Sequence, residues 1–496
     1  MSKRVLLAVP RGYCAGVVQA EQTVKKALDV HGAPVYVREQ IVQNKNVVDI
    51  LEKRGGVFVK ETDEGPEGAI VISSTHCVAP IAHEEAKAHS IKTVEATRQL
   101  VTKVHYEARG FAEFCVWTTE SSRPRGAKMS KQTPFHNVGL AAGAEMRELF
   151  GYWLPWQYAS GHIAEHMATR EGVSICDLDY MAEFQIKGRG SHDFVQQLLT
   201  NDFTNLAVGQ VRYTAMCDED GNMVDDGTLW RVGDDEYVLI TGNEGDGNWI
   251  TGQAKAFDVE VTNLTSVWTT LAVQGPKSQK VVEALVDPEQ VRSLRYYRFI
   301  RTTVMGFDCT LARMGYTGEK GYEFHVHPQI AERLWLALLE AGADDGILPC
   351  GQAALESLRQ EAGYLLVGSD HDSTTNPFEA GIGRVVKLSK PEFSGRTALT
   401  AIRRAGVNRT LVWLTLDDDT VVCAGDKLSI DDEAIGSVTS GSFSPTLRHG
   451  VAMGYVAPRY AIPGISIDIT TAVGLRKGKL STMPLYDAGD LRTRSN

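Results

Sequence analysis

No two of the eight cysteines in this 496-residue chain stand in a CxxC pair; Cys14, Cys77, Cys115, Cys176, Cys217, Cys309, Cys350 and Cys423 are scattered. That spacing excludes a locally encoded zinc ribbon or a thioredoxin-like redox motif. No secretory signal is read at the amino terminus, so reduced thiols in a cytoplasmic protein are the expectation. No apolar run approaches the ~18 residues that a membrane-spanning helix requires, and no membrane partner is expected. Positive charge is in deficit: 51 Lys and Arg face 62 Asp and Glu, for a net charge of −11. A nucleic-acid partner, which wants a basic face, is therefore not expected. A local basic pocket for an anionic ligand is still allowed.

What is present is an ordinary globular composition, 43% hydrophobic and 23% charged. The chain is too long for one core, and roughly 100–200 residues per domain implies three or four domains. Residues 1–108 alternate strand and helix: KRVLLAV, then a helical spacing through Val17, Ala20, Val24 and Leu28, then PVYVRE, VFV and AIVISS. This rhythm predicts a small α/β lobe with a mostly parallel sheet. Residues 109–134 are mostly polar and aperiodic and read as a linker. From about residue 135 to 385, helices mix with short strands and hairpins, including VRYTAMCDEDGNM, EYVLITGN and CTLARMGYTGEKGYEFHVH. Helices are predicted near 330–341 and at 352–362, the second stopped by Gly363. After about residue 386 strands dominate, as in a terminal β-barrel.

Two segments concentrate chemistry. DGNMVDDGTLW places Asp225 and Asp226 side by side between a turn and an apolar run, and GYTGEKGYE packs Tyr316 and Glu323 into a glycine-punctuated hairpin. Adjacent acids on a strand point to opposite faces, so one role for both is not expected. Either segment alone is what a solvated turn looks like.

In order along the chain stand LPWQYASGHIAEHMATREGVSICDLDYM, LLTNDF, RYTAMCDEDGNMVDD, LAVQGP, GYTGEKGYE, LRQEAG, TSGSFSPTL and VAMGYV. With these landmarks, residues 135–490 resemble the glycine-cleavage T-protein (aminomethyltransferase) family, whose relatives include tetrahydrofolate-dependent demethylases. The resemblance implies an α+β fold of three subdomains arranged like a clover leaf, ending in a β-barrel, with tetrahydrofolate as the cofactor. It implies that Asp226 contacts the pterin and governs transfer, that Glu323 binds the pterin edge, and that Tyr213, Tyr316 and Asn243 line the same site. Trp230 is expected to stack on the pterin or its neighbouring ring. No metal is expected. The chemistry is coherent: a pterin presents an amino group beside a ring N–H, and a carboxylate accepts from both, while an acid near N5 can orient or protonate a weakly basic amine. The family's Arg-Asp pair in the helix before EAG is Leu355-Glu356 here, its carboxy-terminal arginine falls near Cys423, and its serine-histidine is Asp179-Tyr180. These departures imply a rebuilt substrate side.

Residues 1–108 resemble the first lobe of the hydroxymethylbutenyl diphosphate reductase (LytB) family through RGYCAGV, VYVREQIVQNKNVVD, ISSTHCVAP and EATRQLVTKVH. Cys14 matches the first cluster ligand, but Arg98 stands at the second and Gln43 at one of two diphosphate-binding histidines; His76 matches the other. A guanidinium cannot hold iron, so no iron–sulfur cluster is expected. Cys14, Gln43, His76 and Arg98 are a candidate anion site; the plainer reading, a lobe kept for packing or partner contact, is preferred.

The resulting expectation is a one-carbon transferase that moves a methyl or aminomethyl-type group between a small-molecule donor or acceptor and tetrahydrofolate. Two alternatives stand beside it: glycine-cleavage aminomethyl transfer from a lipoylated carrier protein, and a folate-binding regulatory protein without turnover.

Overall fold

A computed structural model describes residues 130–481 without a break, residues 484–487, 489 and 491–495 near the carboxy terminus, and short stretches of the first hundred residues. The chain divides into two compact units, Met1–Ala112 and Glu113–Asn496. In the first unit four strands form one parallel sheet in the order Gly56–Val59, Val35–Arg38, Ile70–Ser73, Lys92–Glu95. The parallel pairing agrees with the strand–helix rhythm of that segment. Cys14, Gln43, His76 and Arg98 lie outside the described residues.

Among the described residues, the second unit is built on three principal sheets and the cores they back. One is a six-stranded sheet in the order Arg298–Val304, Phe307–Arg313, Gly321–Val326, Thr269–Gln274, Ser174–Asp177, Leu348–Cys350. Its two central strands, Thr269–Gln274 and Gly321–Val326, are buried at every residue. A strand covered on both faces normally reads as a continuous apolar run. Glu323 and His325 break that run, so each needs a partner inside. The second core backs a five-stranded sheet, Val211–Cys217, Met223–Gly233, Glu236–Thr241, Ala182–Lys187, Glu260–Asn263 in order. Phe184, Phe194, Leu229, Tyr237 and Leu239 fill it. A small three-stranded sheet, in which Lys131–Gln132 pairs with Tyr152–Gln157, precedes both.

The third core is the expected barrel. Six strands close in the order Thr410–Leu416, His449–Val456, Glu433–Ser444, Lys427–Ile430, Ser466–Thr471, Gly474–Ser481, and the last pairs back onto the first. Closure removes the free edges that would otherwise template association.

The helix Gln352–Ala362 ties the barrel to the six-stranded lobe. Eight of its eleven residues are buried, four of them polar or charged. Each finds partners: Ser442 Oγ donates to Gln360 Oε1 at 2.7 Å, Arg170 Nη2 to Glu361 Oε2 at 2.8 Å, and Ser357 Oγ lies 2.7 Å from His166 Nδ1, whose other ring nitrogen meets Thr446 Oγ1 at 2.8 Å. A buried network of this kind fixes how the lobes dock, because any slip leaves charges unpaired. Gly363 ends the helix at φ +77°, the left-handed C-cap that glycine adopts without penalty.

Candidate active site

Asp226 lies in the long strand Met223–Gly233, opposite Ala215. The next residue, Gly227, lets the neighbouring strand close in, since a Cβ there would stand 2.3 Å from the Ile240 carbonyl oxygen. Both carboxylate oxygens of Asp226 are engaged: Tyr213 Oη donates to Oδ2 at 2.6 Å, and His371 Nε2 lies 2.8 Å from Oδ1. Tyr213 comes from the adjacent strand and His371 from a loop 145 residues away in sequence. Burial, and then the Asp226 charge, raise the Tyr213 phenol well above its ordinary value, so it serves as a donor.

Asp225 is 1% exposed and forms the back of the site. Its oxygens accept the backbone N–H of Asp226 at 2.8 Å and of Gly242 at 3.0 Å, and the Asp246 carboxyl is close enough to act on it electrostatically. Burial first, then the charges of Asp226 and Asp246, hold the Asp225 carboxyl well above the usual carboxylate range. The two adjacent acids have different hydrogen-bond partners but stand close together. One ligand-capable atom each from Asp225, Asp226 and His371 lie within 4.8 Å of one another. The register shift between Met216 and Cys217, beside Asp225, and the curl of its side chain along its own strand bring it there. That spacing suits a divalent ion, and in this structure Tyr213 and His371 hydrogen-bond to the Asp226 carboxylate.

Glu323 is 3% exposed on its central strand, and the nearest cationic group is His325 Nε2 at 3.8 Å. That leaves its carboxylate with capacity for further donors. Burial pushes the His325 imidazole down, but Glu183 and Glu323 outweigh it and hold the ring up at about 9. Its Nδ1 lies 3.0 Å from Glu183 Oε1. Tyr297, held at φ +59° between the sheets, feels both Glu323 and Asp226 electrostatically and so joins the two acids into one locale.

Tyr316 is half-buried; its hydroxyl donates to the Leu365 carbonyl and its ring stacks on Tyr364 with centroids 5.7 Å apart. It lines a small cavity with Tyr180, Leu355, Glu356 and Arg359. Asn243 lines a second, open cleft of about 710 Å³, along with Lys131, Tyr152, Glu244 and Val367. Gly242 and Gly368 also line this cleft, and they bond through their backbones to Asp225 and His371 respectively. The cleft therefore adjoins the acid cluster. Trp230 differs from expectation. It is 2% exposed, its indole N–H donates to Thr228 Oγ1 at 2.9 Å, Phe299 packs on its ring and His325 meets it edge-on at 4.9 Å. Trp230 thus packs against Phe299 and His325, and stacking on a ligand would require one of these contacts to open.

Sequence reasoning missed His371, Asp246 and Tyr297. His371 follows Asp370 in a loop without periodicity, and no local signal connects it to a strand 145 residues earlier.

Comparison with known families accounts for this arrangement. Residues 135–390 match the GCVT N-terminal domain and residues 409–487 the glycine cleavage T-protein C-terminal barrel domain. An aminomethyltransferase of Halothermothrix orenii is 38% identical over 357 residues, spanning 71% of this chain and 99% of that protein. The chain belongs to the glycine-cleavage T-protein family. An aminomethyltransferase of Moorella thermoacetica is 37% identical over 359 residues, covering 72% of this chain and 98% of that one. Among solved structures, the glycine cleavage system aminomethyltransferase T of Bartonella henselae superposes with a TM-score of 0.67 at 28% identity, over 72% of this chain and 98% of its own. Residues 5–117 match the LytB protein family. No helix among the described residues is long and apolar enough to cross a membrane.

Proposed function

We propose that the chain is a tetrahydrofolate-dependent one-carbon transferase of the aminomethyl type, with Asp226 as its catalytic acid. The observation that carries this reading is the double engagement of Asp226, held by Tyr213 and His371 within the electrostatic reach of the same Tyr297 that senses Glu323. The residues suit a pterin. Glu323 is a buried carboxylate with acceptor capacity left, which is what a donor–donor ring edge requires. Tyr316 supplies an aromatic wall.

Bound tetrahydrofolate supplies the ring amines that accept the one-carbon unit. Glu323 orients that ring by accepting its N–H groups. Asp226, its position fixed by two donors, keeps a lone pair free on each oxygen to take or return a proton at the reacting amine. Asp225, buried behind it and bonded to the Asp226 and Gly242 N–H groups, keeps the strand that carries Asp226 in place. The 710 Å³ cleft is the route we assign to the donor, since its wall is bonded to the acid cluster.

The identity of the donor is the finer part of the proposal. The relatives named above favour an aminomethyl group, and an open cleft suits a donor carried on the flexible arm of a lipoylated protein. Free methylated amines are the second reading, favoured by Leu355 and Cys423 at positions where the family resemblance expects arginine.

Asp226→Asn tests the role of the acid. It keeps the shape and the acceptor for His371 but cannot take a proton. Turnover is expected to fall by at least about a hundredfold, with tetrahydrofolate affinity changed only a few-fold. Wild-type turnover in the variant refutes the assignment. Incubating the protein with tetrahydrofolate and either aminomethyl-lipoyl carrier or methylated amines, and weighing the folate product, separates the two donors.

A further inference from the structure

His371 sits in a loop whose placement is over-determined. Arg359 Nη1 binds the side chain of Asp370, and Asp370 also accepts from Thr439 Oγ1 at 2.8 Å and Ser440 Oγ at 2.7 Å of the barrel. Tyr455 Oη donates to the Asp370 carbonyl at 2.7 Å, and Gly368 N–H to the His371 carbonyl at 2.8 Å. These bonds deliver one ring, 2% exposed, to within 2.8 Å of Asp226 Oδ1. The far nitrogen, Nδ1, is buried and has no hydrogen-bond partner.

Those two nitrogens fix the tautomer. A hydrogen on Nδ1 would be a buried donor with nothing to bind, a costly arrangement. A hydrogen on Nε2 points at a carboxylate oxygen. The neighbouring titratable groups agree with a donor there: Asp225 and Asp226 from one strand, Asp246 from the helix Asp246–Ala254, and Tyr213 Oη, which already donates to the other oxygen. On the loop itself, Asp370 is neutralised by Arg359, and Asp372 turns to Thr374 and Thr375.

We propose that His371, as the Nε2–H tautomer, is the positioning residue that holds Asp226 as an oriented carboxylate for one-carbon transfer. It touches no reacting atom. It works by donating to Oδ1, which fixes the carboxylate and aims its remaining lone pairs. The proposal rests on the reading of Asp226 as the catalytic acid.

The test compares His371→Leu, which removes the donor, with His371→Gln, whose amide N–H can replace it. In the full chain with tetrahydrofolate and an aminomethyl donor, His371→Leu is expected to lose on the order of 10- to 100-fold in kcat, the scale of one hydrogen bond to a charged group, with KM for folate changed less than about threefold. His371→Gln recovers at least about a third of the activity. A second readout needs no folate. Long-range nitrogen-15 NMR of histidine-labelled protein, with the His371 signals assigned by their absence from His371→Leu, shows the Nε2–H tautomer in the wild type and its loss or exchange with Nδ1–H in Asp226→Ala. An Nδ1–H tautomer in the wild type, or a His371→Leu protein with wild-type kcat, overturns the proposal. So does a lowered melting temperature with unchanged kcat, which is the mark of a merely structural residue. A wild-type enzyme that turns over no aminomethyl or methyl donor would instead overturn the function, and the tautomer measurement would still decide the hydrogen bond.

Discussion

Replacing His325 with glutamine should make the protein's stability lose much of its dependence on pH between about 6.5 and 9. The imidazole lies between Glu183, at 3.0 Å, and Glu323, at 3.8 Å. Burial opposes its charge, but the two carboxylates raise it from an ordinary 6.5 to about 9 in the folded protein. At about 1.4 kcal/mol per tenfold change in proton affinity, the gap corresponds to roughly 3 kcal/mol. The folded state binds the proton more tightly, so the stabilisation is complete below pH about 6.5 and is lost as pH rises through about 9. Asp179 titrates in the same range, lifted to about 8 by burial and then by Asp177, but it is present in both proteins and cancels in the difference. The assay is denaturant unfolding of wild type and His325→Gln at pH 6, 7.5 and 9.5. The wild type's advantage should shrink by roughly 3 kcal/mol across that range. A constant gap would show that the ring is neutral in the fold and that Glu323 has no cation holding it as an acceptor.

Two further outcomes follow from the geometry. Glu323→Gln keeps the size of the side chain but removes its charge, and tetrahydrofolate affinity measured by calorimetry should fall about 10- to 100-fold, the scale of charge-assisted bonds. Lys390→Met strips a buried ammonium from the carbonyls of Gln196, Leu199 and Asn201, which it binds at 2.6–2.8 Å; the loss should be on the order of 2–4 kcal/mol, visible as a lower thermal midpoint with kcat of the folded enzyme unchanged.

How much of this was legible in the chain depended on whether the signal was local. The hairpin that frames GYTGEKGYE, the helix 352–362 with its glycine stop, and five barrel strands announced themselves by apolar period and turn residues. The sixth barrel strand, Gly474–Ser481, did not: GLRKGKLS buries only Gly478 and Leu480, too little apolar alternation to register. Asp226 and Glu323 were reachable because the landmarks around them stand in family order. His371 and Asp246 were not, because what gives them meaning is a tertiary contact. The burial of Trp230 beside His325 was not legible either, since such packing is invisible to composition.

The altered positions on the substrate side can be understood from where the charges sit. Leu355 and Glu356 line the small cavity beside Tyr316, as does Arg359. That guanidinium is already committed to Glu356 and Asp370, and is fully enclosed by them. On the neighbouring cleft, Lys131 is paired with Glu244 at 2.5 Å. A donor bearing a free carboxylate would have to take a cation from one of these pairs, and breaking the buried one costs about 3–5 kcal/mol. A donor end without a carboxylate leaves both pairs intact and meets the rings of Phe150, Tyr152 and Tyr180; an ammonium adds a contact to the rings and to the already paired Glu356 and Glu244. We infer that the chain selects its donor by charge at this wall, admitting an amine-bearing one-carbon group and rejecting free acids. Glu356→Gln, with Arg359 left in place, should weaken that discrimination: the ratio of kcat/KM between an amine donor and its carboxylate-bearing analogue should fall several-fold, and an unchanged ratio would locate the selectivity elsewhere.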